Sequence, residues 1–434
     1  MMHLNVFLST AGYHSGSWRR PGSRSDELLS IDVAADMTRV AERAKIDAVF
    51  IADSLGVDST VRKAPRQTEL EPVTMMAALA MVTERIGLIG TLSTTFTEPF
   101  NLSRYLGSID HISRGRAGWN IVTSTGGQHN FGVELPPHDE RYRRAYEYME
   151  VVKALWDSWD DDAVVNDAAS GFWVRPERIH RIDHHGEYYR VDGPAHLPRS
   201  PQGWPVLVQA GSSKEGMAFA AHHAEVVFTA QNDLAKAQQF YGEMGKLCAG
   251  LGKPAPKVLP GLMPVLGSTE EEAQRLFDEL GSYIDVETGL IKLGNYMPGI
   301  DFSGLDLDEP VPLDLIPDVD ENEAMRSRYE GLHKLAVDER KTLRELMLSV
   351  TRSIGHKISI GTPEQVADEM ERWFHEDACD GFNLQIAYSP GAMDDIAEQL
   401  VPELQRRGLF RIEYEGATLR DHLGLARPTD RSQR

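Results

Sequence analysis

Short apolar runs of strand length alternate with segments of helical period along most of the chain, and this alternation restricts the fold more than any other feature. Strands are expected at residues 4–9, 48–52, 86–92, 116–123, 205–210, 225–229, 258–266 and 381–387. Helices are expected at 31–44, 73–82, 102–112, 139 to about 158, 213–222 and 234–251. In the first of these Val33, Met37, Val40, Ala41 and Ala44 fall on one face. Each strand-then-helix unit returns the chain for another parallel strand. Eight such units in 434 residues predict an α/β fold, a (β/α)8 TIM barrel spanning 1–434 as one domain. Two insertions interrupt the repeat, at about 160–204 and 281–353. Long barrel insertions tend to sit over the C-terminal face, and 281–353 is the lid candidate.

Charge and cysteine content exclude several classes. Lys+Arg total 45 against 66 Asp+Glu, a net charge of −21. That field repels nucleic acid and anionic lipid, and no Lys/Arg cluster offsets it. Cys248 and Cys379 are the only cysteines and lack metal-type spacing, which fits a reducing cytoplasm. No charged stretch precedes a long apolar run at the start, so no signal peptide is expected, and no run has membrane-spanning length. No G-x-G-x-x-G joins a strand to a helix, so a Rossmann nicotinamide site is not indicated.

Barrel chemistry sits where strands end, so polar residues there carry the functional signal. Asn120 lies in the middle of an otherwise apolar strand, where asparagine is depleted and an unpaired amide is costly. Asp53 ends an apolar strand and reads equally as a turn cap or as a group pointing into the mouth. Hydroxyls recur from Thr91 to Thr97 and include Thr94 and Thr95. They suit either strand propensity or the edge of a heterocycle. Ser212 and Glu215 have capping-box spacing, and with Ser213 they open a helix whose N–H groups also suit an anion. His138 and Asp139 open another helix, with Tyr142 one turn in. His184 and His185 follow Asp183 like a metal pair but lie in an irregular segment without a regular third ligand, so no metal site is expected.

Many motifs then fall in one order. They include Gly16-Ser17-Trp18-Arg19, Ala52-Asp53, Ser93-Thr94-Thr95 before Glu98-Pro99, and Gly115-Arg116-Ala117-Gly118-Trp119-Asn120. They continue through Asn130-Phe131-Gly132, His138 to Tyr142, Asp183-His184-His185-Gly186, Pro198-Arg199-Ser200-Pro201-Gln202-Gly203 and Gln209 to Ser213. Gly361-Thr362-Pro363-Glu364-Gln365, Asp380-Gly381-Phe382-Asn383 and the segment from Tyr414 to Arg420 close the series. In this the chain resembles the bacterial-luciferase-like, reduced-flavin-dependent monooxygenases, in particular the nitrilotriacetate and dibenzothiophene-sulfone monooxygenase subgroup. The resemblance spans almost the whole chain.

The resemblance implies a barrel that binds FMN at its C-terminal mouth. By motif match Asp53, Thr94, Thr95, His138 and Tyr142 would contact the flavin, with Tyr142 near the phosphate. Ser212 and Ser213 would hold the phosphate, and Asn120 would face the ring or the bound oxygen. The implied chemistry has two components: a separate NAD(P)H:flavin reductase supplies FMNH2, O2 adds at flavin C4a, and the peroxyflavin oxygenates a small organic substrate. A homodimer or homotetramer is implied by the same analogy. With Asn120, His14 and His356 are the catalytic candidates, expected on the substrate side; surface histidines are the plainer reading of both. His129 is given no role, and Lys357 stands where relatives often carry an apolar residue. The competing readings are a deazaflavin-dependent oxidoreductase, a metal-dependent barrel hydrolase and a non-catalytic flavin-binding protein.

Overall fold

The computed structural model describes residues 1–57, 61, 63, 65, 69–124, 126–317, 326–353 and 355–430, with the backbone alone for 326–328. Among the described residues nine parallel strands form one sheet. They are β1 (His3–Phe7), β2 (Ala48–Ile51), β3 (Gly87–Ser93), β4 (Ala117–Val122), β5 (Val206–Gln209), β6 (Val226–Thr229), β7 (Lys257–Leu266), β8 (Lys357–Gly361) and β9 (Gly381–Gln385). Strands β1 to β7 pair in sequence order, and β9 closes the ring between β7 and β1, making the expected eight-stranded TIM barrel. The sequence reading missed β8. It pairs only with the second half of β7, Leu262↔Lys357 to Leu266↔Gly361. Its two isoleucines alternate with Lys357 and Ser359, too short an apolar pattern to stand out.

Helices α1 (Ile31–Arg43), α2 (Pro72–Ala80), α3 (Pro99–Ile112), α4 (His138–Trp156), α5 (Lys214–His223), α6 (Leu234–Gly250) and α7 (Glu270–Ser282) surround the ring. Helices α2 and α3 start earlier than their apolar periods suggest, because Pro72 and Pro99 take the first helical position, where a missing N–H is harmless. Ser30, Asp233 and Thr269 cap α1, α6 and α7. Side chains alternate across each strand. In β4 the Trp119 ring points outward onto Tyr148 and Trp156 of α4, so Asn120 points inward. Inside the ring Phe7, Phe50 and Phe228 form an aromatic layer with centroids 5.3–6.3 Å apart.

The two insertions lie at opposite ends. Helix α4 carries the chain down to the N-terminal face of the barrel, and β5 departs from that face, so the segment between them is anchored there rather than over the mouth. Gln202 Nε2 donates to Asp110 Oδ1 and to Ala117 O, both at 2.7 Å, at the start of β4. Arg199 donates to Asp157, and the buried Arg420 guanidinium forks onto Glu225, just ahead of β6. The expectation that insertions sit over the C-terminal face therefore does not hold for 160–204.

The second insertion does lie at the mouth. It contains α8 (Val286–Tyr296), α9 (Arg326–Val337) and α10 (Leu343–Arg352); residues 318–325 fall outside the described ones. Lys63, in the loop after β2, reaches Asp285 at 3.1 Å and Glu287 at 2.6 Å. Ser15, in the loop after β1, donates to Thr351 O at 2.7 Å. Leu293, Met297, Phe302, Tyr329, Leu346 and Met347 form a hydrophobic cluster of the insertion's own. Helix α11 (Pro363–His375), with a Thr362–Gln365 capping box, leads from β8 to β9. Among the described residues no helix is long and apolar enough to cross a membrane.

Candidate functional site

A cavity of about 830 Å3 opens at the C-terminal ends of β2 to β5. Asp53, Thr91, Ser93, Ile121, Thr123, His129, Asn130, Tyr142, Gln209 and Gly211 line it. The strand ends explain the lining. Thr91 and Ser93 lie two apart in β3 and share its inward face with Asn120, which pairs in register with Thr91.

One end of the cavity is a polar pole where the first turns of α4 and α5 meet. The Tyr142 hydroxyl meets the side chains of Ser213 and Thr123. Burial raises the Tyr142 pKa, so the phenol stays protonated and able to donate. Gly211 and Gly216 let the phenol approach: a Cβ would come within 3.2 Å and 3.0 Å of its oxygen. Ser213 Oγ accepts the Gly216 N–H at 3.0 Å. The cap of α5 is thus Ser213, one residue later than the Ser212–Glu215 spacing suggested, and Ser212 is exposed in the loop before it. His138 is half-exposed at the start of α4, with its ring 5.1 Å from that of Tyr142.

Thr91 and Gln209 bring a hydroxyl and an amide to the lining, and Asn120 stands against Thr91. Asn120 Nδ2 donates to Thr91 Oγ1 at 2.9 Å, and Thr91 donates to Ile51 O at 2.9 Å. Asn120 is only 4% exposed and its Oδ1 has no partner among the described residues, nor does Gln209 Oε1. Asp53 opens onto the cavity, yet burial by the surrounding wall raises its pKa, with repulsion from Glu71 adding to the effect. Thr94 and Thr95 turn away, donating to Val122 O at 3.3 Å and Thr123 O at 2.7 Å. Thr91, Ser93 and Thr123 take the lining positions instead.

His356 and His14 stand on the opposite side of the mouth. The His356 ring stacks on Phe228 at 5.2 Å and 14°. Gly261 makes room for it, since a Cβ there would lie 2.4 Å from His356 Nδ1. His14 is 1% exposed, and its Nδ1 accepts the Gly16 N–H at 3.1 Å, which leaves the proton on Nε2. Burial, followed by the positive fields of Arg352 and Lys292, lowers its pKa to about 3. Neither histidine lies on the surface. Lys357 pairs with Glu369 at 2.7 Å, away from the mouth. His184 meets Glu147 at 3.0 Å, and Glu147 also accepts the Tyr188 and Tyr189 N–H groups, a brace on α4.

The sequence reading gave no role to His129, Asn130 or Gln209, all of which line the cavity. It also passed over Asn5, Asn383 and Gln385. These buried amides inside the ring have atoms without partners among the described residues, and the argument used for Asn120 would have found them.

Residues 3–380 match the family model described as luciferase-like monooxygenase. The chain belongs to that family. It is 45% identical to the N-acetyl-S-(2-succino)cysteine monooxygenase of Bacillus subtilis (strain 168), over 99% of this chain and 97% of that one. It is 43% identical to nitrilotriacetate monooxygenase component A of Aminobacter aminovorans, over 98% and 97% respectively. The crystal structure of DmoA from Hyphomicrobium sulfonivorans superposes with a TM-score of 0.86 at 33% identity, covering 97% of this chain and 92% of that one. Members of the family are flavin-dependent monooxygenases, and the chain is an enzyme of this kind. The cavity fits a flavin mononucleotide: its size is that of a cofactor site, its pole offers hydroxyl donors and helix N-termini, and its lining includes Gln209, whose amide oxygen has no partner among the described residues and suits a ring N–H group.

Proposed function

We propose that the chain is the oxygenase of a two-component pair, taking FMNH2 from a separate NAD(P)H:flavin reductase and using O2 to oxygenate a small anionic organic substrate. The observation that carries this reading is the cavity lined by Thr91, Gln209 and Tyr142 in a chain of this family, with Asn120 donating to Thr91 and Ser213 meeting the Tyr142 hydroxyl. Bound dihydroflavin supplies the electrons that let O2 place one oxygen atom in substrate and the other in water. The protein binds, orients and shields. Tyr142 and Ser213 would hold the phosphate end, Gln209, with Asn120 beside Thr91, would accept from ring N–H groups, and Asp53 would border the ring. His14 is a neutral Nε2–H donor, and His356 is held flat on Phe228 over the substrate side. The insertion 281–353 acts as the lid, tethered to the mouth through Lys63 and Ser15 and excluding water when closed.

Two features favour a polycarboxylate. Lys292 and Arg352 place positive charge on the His14 side of the mouth, in a chain of net charge −21. N-acetyl-S-(2-succino)cysteine and nitrilotriacetate, the compounds for which two relatives are named, both carry several carboxylates. The test supplies FMNH2 from an unrelated reductase under 18O2 and screens both compounds, uncharged sulfones and alkanes by mass spectrometry. Label in a carboxylate-bearing product is expected. Flavin oxidation with no labelled product across the panel would overturn the oxygenase assignment, and label confined to uncharged compounds would overturn the anionic substrate.

A further inference from the structure

Among the described residues five arginines expose less than a tenth of their surface: Arg116, Arg141, Arg199, Arg411 and Arg420. Four have partners. Arg116 donates to the carbonyls of Ser113, Ile86, Ala80 and Thr83. Arg199, Arg411 and Arg420 pair with Asp157, Asp47 and Glu225. Arg141 differs. It is 9% exposed, its Nε has no hydrogen-bond partner, and among the described residues no carboxylate pairs with it. A buried guanidinium without a counter-anion is costly, and burial holds its pKa below the ordinary arginine value.

Its position says which anion is missing. Arg141 lies in the first turn of α4, next to Tyr142, and the Tyr142 phenol feels its charge. The two helix N-termini at this pole bring N–H groups, but they also bring carboxylates: Asp139 and Glu140 on α4, and Glu215 on α5, 4.0 Å from His138. Hydroxyls and N–H groups among three carboxylates do not balance a dianion. A cation would supply the missing charge, and beside the pole Arg141 is the buried cation that no carboxylate pairs with among the described residues, whereas Lys214 at the start of α5 is exposed. Resting on the flavin reading above, we propose that Arg141 is the cationic anchor of the ligand's phosphate, completing with Tyr142 and Ser213 a site for a phosphomonoester dianion. The planar fork of a guanidinium matches two phosphate oxygens at once, which a lysine ammonium does not. Recognition of FMN over flavins lacking the phosphate then resides largely in this side chain.

The test titrates FMN and riboflavin into wild type, Arg141→Gln and Arg141→Lys and reads flavin fluorescence. Wild type is expected to prefer FMN. Arg141→Gln should lose at least tenfold in FMN affinity with riboflavin affinity unchanged, which also shows that the variant is folded. Arg141→Lys should fall between, and raising the salt concentration should weaken FMN binding in wild type more than in Arg141→Gln. Equal losses for both flavins in Arg141→Gln, or unaltered FMN binding, would overturn the anchor while leaving the flavin reading intact. Wild-type protein that binds neither flavin would overturn both.

Discussion

Asn120 shows how far one side chain can be read. An amide in an apolar strand needs partners: Thr91 takes its N–H at 2.9 Å, while Oδ1 has none among the described residues. Removing it by Asn120→Ala should leave flavin binding within about threefold while lowering the oxygenation rate roughly tenfold, about 1.4 kcal/mol in the barrier. Product formation at the wild-type rate would take Asn120 out of the chemistry. At the pole, Tyr142→Phe and Ser213→Ala should each weaken FMN binding by about 1 kcal/mol, roughly fivefold in Kd. Fluorescence titration of the double variant checks this, and an unaltered Kd would move the phosphate elsewhere. The hydroxyls were legible as a group but not one by one. Strand β3 continues to Ser93, one residue beyond the expected end, so the inward face falls on Thr91 and Ser93. Thr94 and Thr95 come after the last pleat, where the alternation of faces no longer applies. An error of one residue at a strand end reassigns every side chain beyond it.

Among the elements, most strands and helices were legible because their apolar periods are long. Strand β8 was not, with only Ile358 and Ile360 to mark it. The segment 160–204 was legible as an insertion but not in its placement. Its face is set by the direction of α4, which only the assembled barrel reveals, and its Gln202 and Arg199 contacts reach across 38 to 230 residues of sequence. Strand β7 offers a test of the histidine side. Gly261→Ala would drive a methyl into His356 and Gln385, a misfit costing about 1–3 kcal/mol. Turnover should fall while the Kd for FMN stays within about twofold, because the Tyr142 pole is untouched. Equal turnover would show that the stacked His356 ring is not needed. The tether of the second insertion is testable in the same way. Lys63→Glu turns attraction to Asp285 and Glu287 into repulsion and should speed limited proteolysis within 281–353, with the barrel left intact. An unchanged digestion rate would mean that other contacts hold the insertion in place.

For the whole molecule, buried histidines set the acid limit. His14 titrates near 3 in the fold against 6.5 as a free group, and burial lowers His422 to about 4. Between those values and 6.5 the unfolded chain binds more protons than the folded one, so stability rises with pH through the window and is lost on acidification. Each group removes up to about 1.4 kcal/mol per pH unit below 6.5. The melting temperature should therefore drop steadily from pH 6.5 to 4, and His14→Asn should flatten that slope; an equal slope in the variant would clear His14. Two buried fastenings of the barrel, Arg420 on Glu225 and Gln202 on Asp110, lie at the end opposite the cavity. The 281–353 segment keeps its shape through Leu293, Phe302, Tyr329 and Met347, which bury one another. A roof that is self-supporting, above a drum clamped from beneath, is a part that can be transplanted: new recognition could arise by exchanging it whole between family members, without rebuilding the vessel that holds the cofactor.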